Sequence, residues 1–121
     1  MANPFVHVEL SSTNLEASKS FYGKLFDWKL EDVPMGPDMN YTMIQVGDGT
    51  GGGMMKQMIP NAPSSWLAYV QVDDIEAATK KAASLGAQVM REVTEVMGAG
   101  WLSIIVDPTG AVLGLWKPNA A

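Results

Sequence analysis

Thr13-Asn14-Leu15-Glu16-Ala17 and, sixty positions later, Asp73-Asp74-Ile75-Glu76-Ala77 are two openings of one kind. Each sets a small polar residue ahead of apolar side chains at three-to-four spacing, and so predicts the start of a helix. The first run ends near Leu25 and the second near Leu85. Val46-Gly47-Asp48-Gly49 and Val106-Asp107-Pro108-Thr109-Gly110 repeat at an offset of sixty to sixty-one. Self-similarity at a fixed period sets the architecture before any single residue is weighed.

Working outward, Thr13 with Glu16 has the spacing of a capping box. Leu15, Ser18, Phe21, Tyr22, Leu25 and Phe26 make the helical stripe. Strands are predicted over 5–10, 28–33, 41–46 and 51–59, with turns at 34–38 and 47–49. The second half repeats that order. A strand over 66–72 precedes a helix striped by Ile75, Ala78, Ala82 and Leu85, which Gly86 stops. Strands over 87–96, 101–106 and 111–117 follow. The expected architecture is α+β, a single domain over 1–121 made of two βαβββ modules, about 4–59 and 65–117. Neither half buries enough apolar surface to stand alone.

Composition narrows the function classes. A formal net charge of -5 argues against nucleic acid and anionic membrane as partners. With no cysteine there is neither thiol catalysis nor a disulfide framework, which agrees with a cytoplasmic protein. The N-terminus reads as no signal peptide. No stretch approaches the roughly 18 apolar residues of a spanning helix.

Several stretches together resemble the vicinal oxygen chelate superfamily, which includes glyoxalase I, bleomycin-resistance proteins and extradiol dioxygenases. They are His7-Val8-Glu9-Leu10, Phe21 to Trp28, Val72-Asp73-Asp74-Ile75, Leu85-Gly86-Ala87 and Asp107 to Ala111. The resemblance implies a curved mixed sheet closing into a cup or barrel, helices outside and ligand inside. It also implies, in metal-using members, one ligand on the first and one on the last strand of each half. His7 takes the first of these positions, and the repeat carries the set to Gly53, Leu67 and Gly114. Glycine and leucine offer no side-chain donor to a divalent cation. Glu9 beside His7 would bring the count to two, which is too few. Neither a metal nor any other cofactor is expected.

Alternation along the strands gives a ligand face. Phe5, His7 and Glu9 share one side of the first strand, opposite Val6, Val8 and Leu10. The equivalent positions are Leu67, Tyr69 and Gln71, then Met55 and Trp116 on the last strands, with Gly53 and Gly114 leaving room among them. This mixture of apolar walls and a few polar groups is that of a small-molecule site. It is equally the composition of a small sheet's core, with glycine marking bulges. Glu9, in an apolar setting that disfavours its charged form, could act as general base with His7 as hydrogen-bond partner. The alternative is a structural pair at the rim. The methionines, among them Met35, Met39, Met43, Met54, Met55 and Met58, suggest adaptable packing. Trp66 and Trp101 suit strand edges or a subunit interface.

Two functions follow. One is a metal-independent binding protein of the bleomycin-resistance type, a homodimer that holds a small organic molecule. The other is a glyoxalase-like lyase or isomerase acting on a small carbonyl compound with Glu9 as base. A non-catalytic interaction protein on the same scaffold is a third, since fold alone does not choose.

Overall fold

The structure is a computed structural model that describes residues 2–34, 40–96 and 98–119. Its elements run β1 (Phe5–Ser12), α1 (Leu15–Leu25), β2 (Lys29–Pro34), β3 (Asn40–Gln45) and β4 (Gly52–Lys56). Then follow β5 (Ser65–Gln71), α2 (Ile75–Ser84), β6 (Gln88–Val96), β7 (Gly100–Val106) and β8 (Val112–Pro118). The class is α+β, and strand, helix and three strands come twice in that order. The expected turn at 34–38, Met35 and Met39 lie largely outside the described residues. No helix among the described residues is long and apolar enough to cross a membrane.

The chain divides into two compact units. One is His7–Leu67; the other joins Met1–Val6 to Ala68–Ala121. The boundaries cut through β1 and β5, not through the linker between the expected modules.

In the His7–Leu67 unit the strands lie in the order β2-β3-β4-β1. β1 and β4 are parallel, and the other neighbours are antiparallel. Leu10, Ile44 and Met54 form the buried core, with Leu15 and Tyr22 of α1 and Trp28 packed on it. A bond of 2.7 Å between the hydroxyls of Ser12 and Ser18 ties α1 to β1. Asn14 caps α1, accepting from the Ala17 N–H at 3.1 Å. The expected cap Thr13 is used otherwise, since its N–H and hydroxyl both meet the Ser64 hydroxyl. The predicted stripe is also only partly buried: Phe21 and Leu25 stay exposed because α1 turns Leu15 and Tyr22 to the sheet. β4 stops at Lys56, short of the expected 59, leaving Met58 and Ile59 exposed.

The other unit has the order β5-β8-β7-β6, with β5 and β8 parallel and the rest antiparallel. Ile75, Ile105 and Leu115 are its buried apolar residues near α2. The Thr79 hydroxyl donates to the Ile75 carbonyl at 2.6 Å and meets the buried Ser103 hydroxyl at 2.9 Å. Asp74 caps α2 through the Ala77 N–H at 3.1 Å. Gly86 takes φ +104° past the helix end, a conformation open to glycine at little cost. Trp101 is not on an edge strand: β7 lies between β8 and β6, and Lys117 stands 4.9 Å over its ring. In the β7–β8 turn, Asp107 accepts from the Thr109 hydroxyl and from two backbone N–H groups, which holds its carboxyl below the usual range.

Candidate functional site

The period of two along β1 decides which side chains can act. Leu10 goes into the core and Ser12 to α1, so His7 and Glu9 project from the face away from that helix. On β4, Gly53 lies beside Glu9 and Met55 beside Ser11. On β3, Thr42 and Ile44 are buried on the core side, which leaves Tyr41 and Met43 on the His7 face.

Tyr41 joins the two residues singled out in the sequence. Its hydroxyl lies 2.6 Å from His7 Nε2 and donates to Glu9 Oε1 at 2.9 Å. The His7 and Tyr41 rings are near-parallel, 6.1 Å apart. Burial lowers the His7 pKa from 6.5, because desolvation disfavours the imidazolium. The site is therefore a hydrogen-bonded line of imidazole, phenol and carboxylate on one sheet face. Such a line can anchor the polar part of a ligand, and its carboxylate is a candidate base.

Sequence reasoning passed over Tyr41. The signal was available in the alternation of Tyr41, Met43 and Gln45 against Thr42, Ile44 and Val46. What it lacks is the diagonal step from Tyr41 across β4 to β1, which only strand register supplies.

The glycines need a correction. Gly53 does not leave room on this face, because the ring of Tyr41 fills the place of its absent side chain. Gly114 is covered the same way by the ring of Tyr69, its partner across β5 and β8. Aromatic rings laid over sheet glycines compensate the apolar surface that glycine fails to supply. Of the positions implied for metal ligands, His7 alone carries a donor, and its Nε2 is engaged by Tyr41. Among the described residues no three His, Cys, Asp or Glu side chains are grouped to hold a metal ion. The described residues therefore offer a divalent cation no three-ligand set.

The remaining predicted residues divide between the units. Leu67 and Met55 are half-buried in the unit that holds His7. In the other unit Tyr69 is 3% exposed, and Gln71 pairs with Trp116, two residues beyond the Tyr69–Gly114 pair, so all three share one face. The Gln71 carbonyl accepts from Asn3 Nδ2 at 2.9 Å. Phe5 is 61% exposed. In the His7–Leu67 unit a hollow of about 360 Å³ opens on the opposite, core side of the sheet, between Val8, Ile44, Val46, Trp28 and Trp66. Tyr22 stacks on Trp28 at 5.7 Å and meets Trp66 edge-on at 5.4 Å.

Comparison with known proteins places the chain in a family. The family model described as Glyoxalase/Bleomycin resistance protein/Dioxygenase superfamily matches residues 5–115. A Mycobacterium tuberculosis protein named "Putative glyoxylase CFP32" is 38% identical over 117 residues, 93% of this chain and 44% of that protein. The anthracycline biosynthesis protein DnrV of Streptomyces peucetius is 25% identical over 123 residues, 90% of this chain and 45% of that protein. The chain thus spans less than half the length of these curated relatives. Among solved structures, Streptomyces coelicolor methylmalonyl-CoA epimerase in complex with 2-nitronate-propionyl-CoA superposes with a TM-score of 0.75. It is 11% identical, with 99% of this chain and 100% of that chain covered, and is a likeness of fold.

Proposed function

Because this chain belongs to the glyoxalase/bleomycin resistance protein/dioxygenase superfamily, we propose that it binds a small organic molecule, without a metal, on the sheet face carrying His7, Tyr41 and Glu9. The observation that carries this is the line of hydrogen bonds from His7 Nε2 through Tyr41 to Glu9, built where ligands to a cation are missing. A few fixed polar groups set against apolar surface are what orient a small ligand. Met55 on the same face adds adaptable apolar contact. Tyr69, Gln71 and Trp116, flanked by Phe5, are proposed as ligand contacts in their own unit, and Leu67 as a flanking contact in the unit of His7.

Titration with aromatic and cationic antibiotics, followed by tryptophan fluorescence, tests the reading. An anthracycline belongs in the panel, given the relative named for anthracycline biosynthesis. Saturable change that weakens in Glu9→Gln supports it. No response to any compound overturns it. We also propose a homodimer, supported by the exposed Phe21 and Leu25 of α1 and the adjoining Phe26, and a cytoplasmic location, in keeping with a sequence that has no cysteine. Sedimentation of a monomer at micromolar concentration would remove the dimer.

A second reading is a glyoxalase-like lyase or isomerase acting on a small carbonyl compound. Two observations favour it: the Glu9 carboxylate held in place by Tyr41, and the 38% identical relative named as a glyoxylase. Glu9 would take a proton from the carbon beside the carbonyl and return it elsewhere on the same molecule. Glu9→Gln then abolishes turnover while the circular dichroism of the fold is kept. Undiminished turnover in that variant eliminates the role.

A further inference from the structure

A phenol has one proton to give, and the Tyr41 hydroxyl meets both His7 and Glu9. With Glu9 ionised, the Tyr41 proton goes to Oε1 at 2.9 Å. The 2.6 Å contact to His7 is then a hydrogen bond only if Nε2 carries a proton and donates it to the phenol oxygen. The other neutral tautomer, with the proton on Nδ1, would set two lone pairs facing each other across that distance. Among arrangements with an ionised carboxylate and a neutral ring, one alone satisfies both bonds. The second nitrogen's identity as donor or acceptor follows from the partner of the first.

We propose that Tyr41 is the positioning residue of this site, fixing His7 as the Nε2–H tautomer and aiming the Glu9 carboxylate through one bridging hydroxyl. The assignment rests on the reading of His7 and Glu9 as the polar anchor of the site. It makes Nδ1 the basic nitrogen of the ring. It also gives Glu9 a supply of protons. When Nδ1 takes up a proton, the Nε2 proton can pass to the Tyr41 oxygen as the Tyr41 proton passes to Glu9. Two O–H or N–H bonds break, two form, and one positive charge leaves the ring while the carboxylate is neutralised. Gly53 belongs to the same device, because the Tyr41 ring reaches this position only over a residue without a β-carbon.

His7 is the chain's single histidine, so its ring nitrogens can be read without assignment. Nitrogen-15 spectra of the ligand-free protein at pH 8, above the ordinary histidine pKa of about 6.5, report the tautomer directly. The expected result is a protonated Nε2 and an unprotonated Nδ1 in the wild type, and a larger share of the Nδ1–H tautomer in Tyr41→Phe. That variant keeps the ring over Gly53 and removes only the hydroxyl. A protonated Nδ1 in the wild type, or an unchanged tautomer in Tyr41→Phe, would overturn the assignment. No ligand or turnover enters this measurement, so its failure is separate from failure of the binding or lyase readings. Where turnover is found, Tyr41→Phe is expected to lower kcat at least tenfold with KM little changed.

Discussion

The ring of Tyr41 lies over Gly53 so closely that a β-carbon at position 53 would enter it. Tyr41 can reach both His7 and Glu9 only from there. Gly53→Ala should therefore cost about 1–3 kcal/mol, the usual range for overpacking a filled site. In a Tyr41→Ala background the same change should cost far less. Urea denaturation of the four proteins gives the coupling as a double-mutant cycle. Additive costs would show that the ring and the glycine are independent.

The desolvation that lowers the His7 pKa has a consequence for stability. In the unfolded chain the imidazole titrates near its ordinary value of about 6.5, and in the folded chain below it. Between those two values the unfolded state binds more protons, so stability rises with pH there. It is fully present above the unfolded pKa and is lost as the pH falls from about 6.5 to the folded pKa. Denaturation midpoints at pH 7.5 and pH 5.5 should differ in that direction, and His7→Gln should flatten the difference. Asp32 and Asp107 titrate lower, with folded pKa values depressed from 3.8, so their losses come at more acid pH.

Asn14 and Asp74 make the same bond sixty positions apart, each accepting from the N–H three residues on at 3.1 Å. An N-cap oxygen satisfies one of the donors that a helix leaves unpaired. Asn14→Ala and Asp74→Ala should each destabilise the protein by about 1 kcal/mol. Thr13→Ala should not act as a cap loss, since Thr13 bonds to Ser64 instead. Thermal denaturation of the three variants separates these cases.

The caps also show what could be read from the sequence. The repeat gave both helices, because a polar residue followed by a three-to-four stripe is a local signal. It placed the first cap one residue early, since Thr13, Asn14 and Glu16 all fit a start and a contact with Ser64 decided among them. The strands were legible to within a few residues. So was the sorting of β1, where Leu10 is buried in the core and His7 and Glu9 share Tyr41 on the other face. What was not legible depends on neighbours distant in sequence. Tyr41 is 34 residues from His7, and no periodicity within β3 announces which ring will cover which glycine. Gly53 and Gly114 thus read as space, when each is the seat of a tyrosine.

Thr79 and Ser103 give a test of the other unit by itself. Their hydroxyls meet at 2.9 Å, both buried, with Thr79 donating onward to Ile75. Because the Thr79 proton is committed to the Ile75 carbonyl, Ser103 is the donor to Thr79. Thr79→Val then leaves the Ser103 hydroxyl buried without its acceptor, at a cost of about 1–3 kcal/mol. Ser103→Ala leaves Thr79 its bond to the backbone and should cost less. Equal losses in guanidinium denaturation would contradict this order.

Metal addition tests the donor set. Of the positions His7, Gly53, Leu67 and Gly114, only the first has a side chain able to bind a cation, and Tyr41 already occupies its Nε2. A specific site of micromolar affinity would raise stability by about 4 kcal/mol at a metal concentration a thousandfold above its Kd. Millimolar zinc or nickel should therefore shift the denaturation midpoint by far less than that, and chelator should leave the untreated protein unchanged. Tyr41→Phe removes the hydroxyl between Nε2 and Glu9 but adds no third ligand, so it too should show no metal stabilisation. A stoichiometric shift abolished by His7→Ala would establish a metal centre on this face and displace the hydrogen-bonded anchor as the basis of ligand binding.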